Sequence, residues 1–323
     1  MRVVCMGTPD FAVPLLEGLL ERGHEVAAVV CQPDKPVGRK RELTPPPMKV
    51  AALAHGLPVL QPTTARSRSF QARVRELAPR AVVYAAYGKI LPQSFLDIPP
   101  EGCLNIHASL LPLYRGAAPI QWAIMNGEAE TGVSIMRAEA GLDTGPVLLQ
   151  RAEPIRDDDT AGTLFDRLAS LGGRMMLEAL DLIEAGEARY QPQDASHATH
   201  APPIEAAHCR LDWSWPARKL RDRVRGLNPK PGAVFTHAGR EVKLWSADLV
   251  SEVDQARSGT PLAEGCPGTV AFVGKRDLWV RSADGLLAMR EVQPSGKGRI
   301  SGPEFARGQR LCAGEVLWGT AAT

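Results

Sequence analysis

Met1-Arg2-Val3-Val4-Cys5-Met6-Gly7-Thr8-Pro9-Asp10-Phe11 opens the chain, and its reading decides the fold of the first half. Val3 to Met6 is a short apolar run closed by Gly7, the pattern of a buried strand that ends in a turn. Thr8 can then N-cap a helix, with Pro9 at its first position and Asp10 at the positive end of the dipole. Phe11, Leu15, Leu16, Leu19 and Leu20 recur at helical spacing, and Gly23 is placed to end the helix. Val26 to Cys31 reads as the next strand. Ala81 to Ala86, apolar apart from Tyr84, reads as another buried parallel strand. This opening predicts a Rossmann-like open α/β sheet. The turn from Gly7 to Ala12 lacks the second and third glycines that let a backbone approach a pyrophosphate, so a nicotinamide dinucleotide site is not expected.

Further along, residues 157 to 189 carry a helical pattern through Leu164, Leu168, Met175, Met176, Leu180 and Ile183, preceded by Asp157-Asp158-Asp159 as helix-start chemistry. From Gln191 to Ala207 the composition turns to Pro, Ala, His and polar residues, which reads as a solvated linker. His197, His200, His208 and Cys209 crowd it, but their spacing matches no tight metal-ligand pattern. Ser214 can cap a basic helix running to Gly226. Strand-like runs follow at Ala233 to Thr236, Glu241 to Trp245, Thr269 to Val273, Leu278 to Arg281 and Leu286 to Val292. Ser301-Gly302-Pro303-Glu304 is a capping-box start for a last short helix. Five short strands in about 110 residues predict a small OB-like β-barrel domain. The expected division is 1–190, a linker at 191–208, and 209–323.

The chain has 323 residues, 44% hydrophobic and 23% charged, which excludes a disordered polymer and suits two domains. Its net charge of +2 is unevenly spread. Residues 1–207 hold 20 basic and 24 acidic side chains, whereas residues 208–323 hold 18 and 12. Only the C-terminal part is therefore expected to meet something anionic. Six cysteines lie far apart without a CxxC pair, which fits reduced thiols better than a disulfide framework or a structural zinc. No apolar run approaches the roughly 18 residues of a membrane span, so a cytoplasmic protein with no membrane partner, leader or anchor is expected.

Three polar residues stand out against this background. If Asn105-Ile106-His107 ends a strand, Asn105 and His107 point to one face while Ile106 packs on the other. An amide donor and an imidazole would then share a pocket at the carboxyl edge of the sheet, where open α/β folds bind ligands. Gly141-Leu142-Asp143-Thr144-Gly145 is a glycine-flanked loop that presents one carboxylate. Spacing alone leaves His107 open to a structural reading and Asp143 to that of a turn former.

Asn105-Ile106-His107, Ser109-Leu110-Leu111-Pro112, Arg115-Gly116-Ala117-Ala118-Pro119-Ile120-Gln121, Glu130-Thr131-Gly132-Val133-Ser134-Ile135-Met136 and the Asp143 loop together resemble the 10-formyltetrahydrofolate-dependent formyltransferases. Gly7-Thr8-Pro9-Asp10-Phe11, the loop Gln32 to Arg39, Asn228-Pro229 and the basic C-terminal domain narrow the resemblance to the branch acting on methionyl-tRNA. It covers nearly the whole chain and is tightest across residues 102 to 145. Where the family usually carries lysines before its Ile-Asp-Trp motif, this chain offers His208 and Arg210 before Asp212-Trp213.

The resemblance implies formyl transfer from 10-formyltetrahydrofolate to the amino group of methionyl-initiator tRNA, with Asn105, His107 and Asp143 catalytic and no metal required. It places the folate along Ser109, Leu110, Leu111 and Pro112, with the pterin near Tyr87, Gly88 and Ile90. It also implies that Asp34 to Lys49, a proline-stiffened basic loop, reaches the acceptor end of the tRNA through Arg39, Lys40 and Arg41. On the basic helix, Arg218, Arg221 and Arg225 share a face by their i, i+3, i+7 spacing while Arg223 points elsewhere, so the first three are candidates for phosphates. A monomer is expected. Two other readings would use parts of the same sequence: a formyltransferase acting on glycinamide ribonucleotide or a nucleotide sugar, and a non-catalytic RNA-binding protein. The first has no duty for a basic barrel, and the second none for an intact Asn/His/Asp set.

Overall fold

The computed structural model describes residues 1–38 and 41–317. It divides into two compact units, one formed by 1–119, 130–154 and 164–202, the other by 120–129, 155–163 and 203–323.

The first unit is built on a seven-stranded sheet. Its order is Val147–Pro154, Glu130–Arg137, Cys103–His107, Ala81–Ala85, Arg2–Gly7, Glu25–Val30 and Val59–Leu60. The five strands from Cys103–His107 to Val59–Leu60 are parallel, and the first two in that order are antiparallel additions at one edge. The strand order reverses between Arg2–Gly7 and Ala81–Ala85, the kind of switch point at whose carboxyl ends open α/β sheets bind ligands. Val3, Val4, Cys5 and Met6 are wholly buried, as strands covered on both faces must be. The helix Ala161–Glu184 covers the face carrying Ile106: Gly172 admits the Ile106 side chain, and Gly173 lies against the backbone of Pro14 in the helix Val13–Glu21.

The opening turn differs from expectation. A 3-10 turn at Asp10–Ala12 precedes Val13–Glu21, and no side chain caps that helix. The Thr8 hydroxyl is spent elsewhere, donating to the Tyr87 carbonyl at 3.1 Å and accepting from the Gln32 amide at 3.4 Å. A long-range pair has outcompeted the local cap. The proline-rich segment is likewise not a plain loop. Lys35–Val37 and Glu42–Thr44 form an antiparallel hairpin with Pro36 opposite Leu43, and Pro47 starts a helix to Ala54. Proline is tolerated because these two strands have no further neighbour, so its missing N–H is not needed.

Residues 191–201 are mostly exposed, but they are held by backbone pairing rather than free. Gln191 exchanges backbone hydrogen bonds with Val147, and His200–Ala201 pairs in parallel with Arg115–Gly116. The Thr199 carbonyl and hydroxyl accept from the amides of Arg115 and Tyr114. This strap belongs to the first unit. Polar composition hid it, because its order comes from pairing with Val147 and with Tyr114 to Gly116, which are distant in sequence.

The second unit carries a six-stranded antiparallel sheet, in the order Ala233–His237, Arg240–Leu249, Leu286–Pro294, Leu278–Arg281 and Val270–Val273, with Ile300–Ser301 pairing Leu286–Pro294. All five expected strands are present. Trp213, Phe235, Leu244, Leu287 and Phe305 form its core with the buried side of helix Ala217–Gly226. Ser301 and Glu304 make the expected capping box ahead of Gly302–Gln309. Ser214 does not cap the basic helix: its hydroxyl bonds Asp212, and the Ala217 amide is held by Asp284 instead.

Candidate active site

Asn105 and His107 alternate with Leu104 and Ile106 along a strand buried from end to end. Their register partners sit on flanking strands, Tyr84 and Met136 beside Asn105 and Ser134 beside His107. Neighbouring residues in register share a face, so the sheet's pleat gathers Tyr84, Asn105 and His107 on one side. The Asn105 carboxamide is buried and has no hydrogen-bond partner among the described residues.

His107 Nε2 bonds the Tyr114 carbonyl oxygen at 2.9 Å, and its Nδ1 faces Asp143 Oδ2 at 3.6 Å. Asp143 Oδ2 also accepts from the Gly116 amide at 2.9 Å. Asp143 itself has φ 53°, a strained value for a residue with a side chain. Two glycines make the approach possible. A Cβ on Gly116, at φ 122°, would stand 2.6 Å from the Ala201 carbonyl oxygen, and one on Gly145 would stand 1.8 Å from that of Arg137. Burial, followed by the negative charges Cys103 and Asp143 can carry, pushes the Tyr84 phenol up and keeps it protonated beside the site.

The segment Ser109 to Pro112 is fixed by polar side chains beneath it. Ser109 Oγ donates to the Leu113 carbonyl at 2.6 Å, and Ser134 Oγ accepts from the Leu111 amide and donates to the Ser109 carbonyl. Gln150 Nε2 reaches both the Leu111 carbonyl and Ser134 Oγ. Leu111 is buried and Leu110 packs on Gly132, so their side chains are mainly core. Tyr87 is also buried in the core, its carbonyl shared by Thr8 and Gln32. Ile90 differs, being 80% exposed. Lys89 pins this loop by donating to the carbonyls of Pro62 and Thr63.

Of the expected tRNA contacts, Arg39 and Lys40 lie outside the described residues. Arg41 is exposed beside the hairpin. On helix Ala217–Gly226 the three arginines are not equivalent. Arg221 is engaged by Asp157 at 2.8 Å, and Arg225 by Asp222 at 2.8 Å and by the carbonyls of Arg156 and Asp159. Arg221 and Arg225 are 13% and 11% exposed, against 71% for Arg218. The spacing placed them on one face, but Asp157 from outside the helix and Asp222 from within it hold Arg221 and Arg225, while Arg218 only approaches Asp222 at 3.9 Å. Arg223 is buried, stacked on Trp215 and bonded to the His208 carbonyl.

Gln150 and Gln193 carry polar connections that spacing did not single out, and Tyr84 shares the face of Asn105 and His107. Tyr84 was visible as the one polar residue in an apolar strand; Gln150 and Gln193 had no local signal. No three His, Cys, Asp or Glu side chains gather as a metal site among the described residues.

Comparison with known proteins gives the family. The formyl transferase family model matches residues 1–180, and the model of the formyl transferase C-terminal domain matches 203–310. A methionyl-tRNA formyltransferase of Pelobacter propionicus is 45% identical over 99% of this chain and 97% of its own length. The chain belongs to the methionyl-tRNA formyltransferase family. A relative of that name from Pelotomaculum thermopropionicum is 45% identical over 98% of both chains. HypX from Aquifex aeolicus, solved in complex with tetrahydrofolic acid, shares the fold at TM-score 0.65 and 21% identity, over 95% of this chain and 47% of that one. No helix among the described residues is long and apolar enough to cross a membrane.

Proposed function

We propose that Asn105, His107 and Asp143 carry out the formyl transfer of this family, from 10-formyltetrahydrofolate to the free amino group of methionyl-initiator tRNA. The observation that carries this reading is a buried, uncommitted carboxamide on the same strand face as an imidazole that stands 3.6 Å from a carboxylate.

The amine nitrogen forms a bond to the formyl carbon while the carbonyl electron pair moves onto oxygen. The tetrahedral oxyanion must be stabilised before the bond to N10 of the folate breaks and that nitrogen regains a proton. Asn105 supplies an N–H donor to the oxyanion, and a donor fixed in place before the reaction costs no reorganisation. Asp143 accepts the proton that the attacking ammonium must lose. His107 works through Nδ1, because the Tyr114 carbonyl can only accept and so holds the hydrogen on Nε2. Nδ1 can pass a proton between Asp143 and the reacting groups.

For the folate, the exposed Ile90 beside Gly88 and the loop from Ser109 to Pro112 offer an apolar edge with a few backbone polar groups, which suits a flat heteroaromatic ring. The second unit is read as the OB-like tRNA-binding domain. Its antiparallel sheet and the basic excess of residues 208–323 support that reading, with phosphate contacts giving affinity more than base choice. The deciding assay is transfer from 10-formyltetrahydrofolate to methionyl-initiator tRNA, glycinamide ribonucleotide and an amino-sugar nucleotide. Transfer to the tRNA alone is expected. Preferential transfer to either small acceptor would overturn the substrate assignment.

A further inference from the structure

Gln193 lies in the strap that composition marks as linker, yet its carboxamide makes four hydrogen bonds around the candidate site. Nε2 donates to the carbonyls of Asp143 at 2.8 Å and Gly145 at 2.7 Å. Oε1 accepts from Arg115 Nε at 3.0 Å and Nη2 at 2.7 Å. Arg115 is itself buried, and its neighbours are the two backbone groups that define the site: Tyr114, whose carbonyl takes His107 Nε2, and Gly116, whose amide donates to Asp143 Oδ2. One side chain thus ties the backbone carrying Asp143 to the backbone that orients both His107 and Asp143.

We propose that Gln193 is a positioning residue for the formyl transfer, holding the Asp143 loop against Arg115 so that His107 and Asp143 keep their spacing. The inference rests on the catalytic assignment above. A left-handed Asp143 between two glycines has little intrinsic preference for its observed conformation, so an outside clamp is needed. The amide is suited to this because it donates and accepts at once: two carbonyls require its N–H groups and a guanidinium requires its oxygen. The strap's backbone pairings at Gln191 and at His200–Ala201 hold Gln193 from both sides.

The test compares steady-state transfer to methionyl-initiator tRNA by wild type, Gln193→Ala, Gln193→Glu, Asp143→Ala and the Gln193→Ala/Asp143→Ala pair, with thermal unfolding of each. Gln193→Ala is expected to lower kcat by about 10- to 100-fold, as small misplacements of reacting groups do, with KM for both substrates changed by less than about threefold. Gln193→Glu can still accept from Arg115 but cannot donate to the two carbonyls, and is expected to lose kcat to a similar degree. In the Asp143→Ala background, removing Gln193 should add less than about twofold, since a residue acting through Asp143 has nothing left to position. Wild-type kcat in Gln193→Glu, or losses that multiply in the double variant, would overturn the proposal. If Gln193→Ala unfolds, Gln193→Glu decides alone. Near wild-type turnover in Asp143→Ala would instead overturn the catalytic assignment, whereas an inactive Asp143→Ala beside a fully active Gln193→Ala defeats the positioning role only.

Discussion

His107 Nε2 stands 2.9 Å from the Tyr114 carbonyl oxygen, so the ring presents Nδ1, and no other nitrogen, to Asp143. The backbone therefore sets the tautomer on which the proposed chemistry depends. Asn105→Ala and Asp143→Ala are expected to fold normally and to lose about 100- to 1000-fold in turnover, roughly 2.7 to 4 kcal/mol of transition-state stabilisation. Turnover beside circular dichroism checks this; a folded Asn105→Ala with near wild-type kcat would remove Asn105 from the oxyanion.

The folate edge is best probed where the side chain is not also core. Ile90→Asp, at an 80% exposed position, is expected to weaken tetrahydrofolate binding by about tenfold while the melting temperature stays put. Leu111→Ala would instead cost about 2 to 5 kcal/mol of stability, because Leu111 is 5% exposed. Calorimetric titration of Ile90→Asp with an unchanged dissociation constant would take the Tyr87 to Ile90 loop out of the site.

On the basic helix, Arg218 and Arg225 should separate cleanly. Arg218→Ala is expected to flatten the plot of log tRNA affinity against log salt by about 0.7 to 0.9, with stability unchanged. Arg225→Ala should cost about 3 kcal/mol in urea unfolding, since it leaves the buried Asp222 carboxylate with Arg218 at 3.9 Å as its remaining ion-pair partner. Equal salt slopes for wild type and Arg218→Ala would exclude a phosphate at that position.

Burial pushes the thiols of Cys5 and Cys103 up to about 12 and that of Cys31 up to about 11, from an ordinary value of 9.0. A raised thiol keeps its proton in the folded chain after the unfolded chain has lost it. Stability is thus fully present below pH 9 and falls as pH rises toward 11 or 12. Thermal unfolding across that range should show the decline, and a flat profile would contradict it. At neutral pH a thiol reagent should label Cys266 and Cys312, both exposed, well before the four buried cysteines.

Much of the site was legible because its signals are local. The period-two alternation of Asn105, Ile106 and His107 depends only on neighbouring residues, and the glycines around Asp143 mark a turn whatever surrounds it. The strands of the second unit were readable for the same reason, since β-branched and aromatic runs broken by turn residues carry their own pattern. The hairpin at Lys35–Val37 was missed because proline density is a local argument against a strand, valid only where the N–H must be paired.

The sequence by itself determined the strand and helix alternation, the C-terminal run of strands and the uneven charge, and it made Asn105, His107 and Asp143 candidates. Only the tertiary structure decided which nitrogen of His107 faces Asp143, that residues 191–201 are a paired strap rather than a free linker, and which arginine of the basic helix stays exposed to solvent. The physical reason is range. Periodicity and capping are settled within a few residues, whereas Gln193 meets Asp143 across 50 positions and Arg221 meets Asp157 across 64, and such pairs leave no mark on the local sequence.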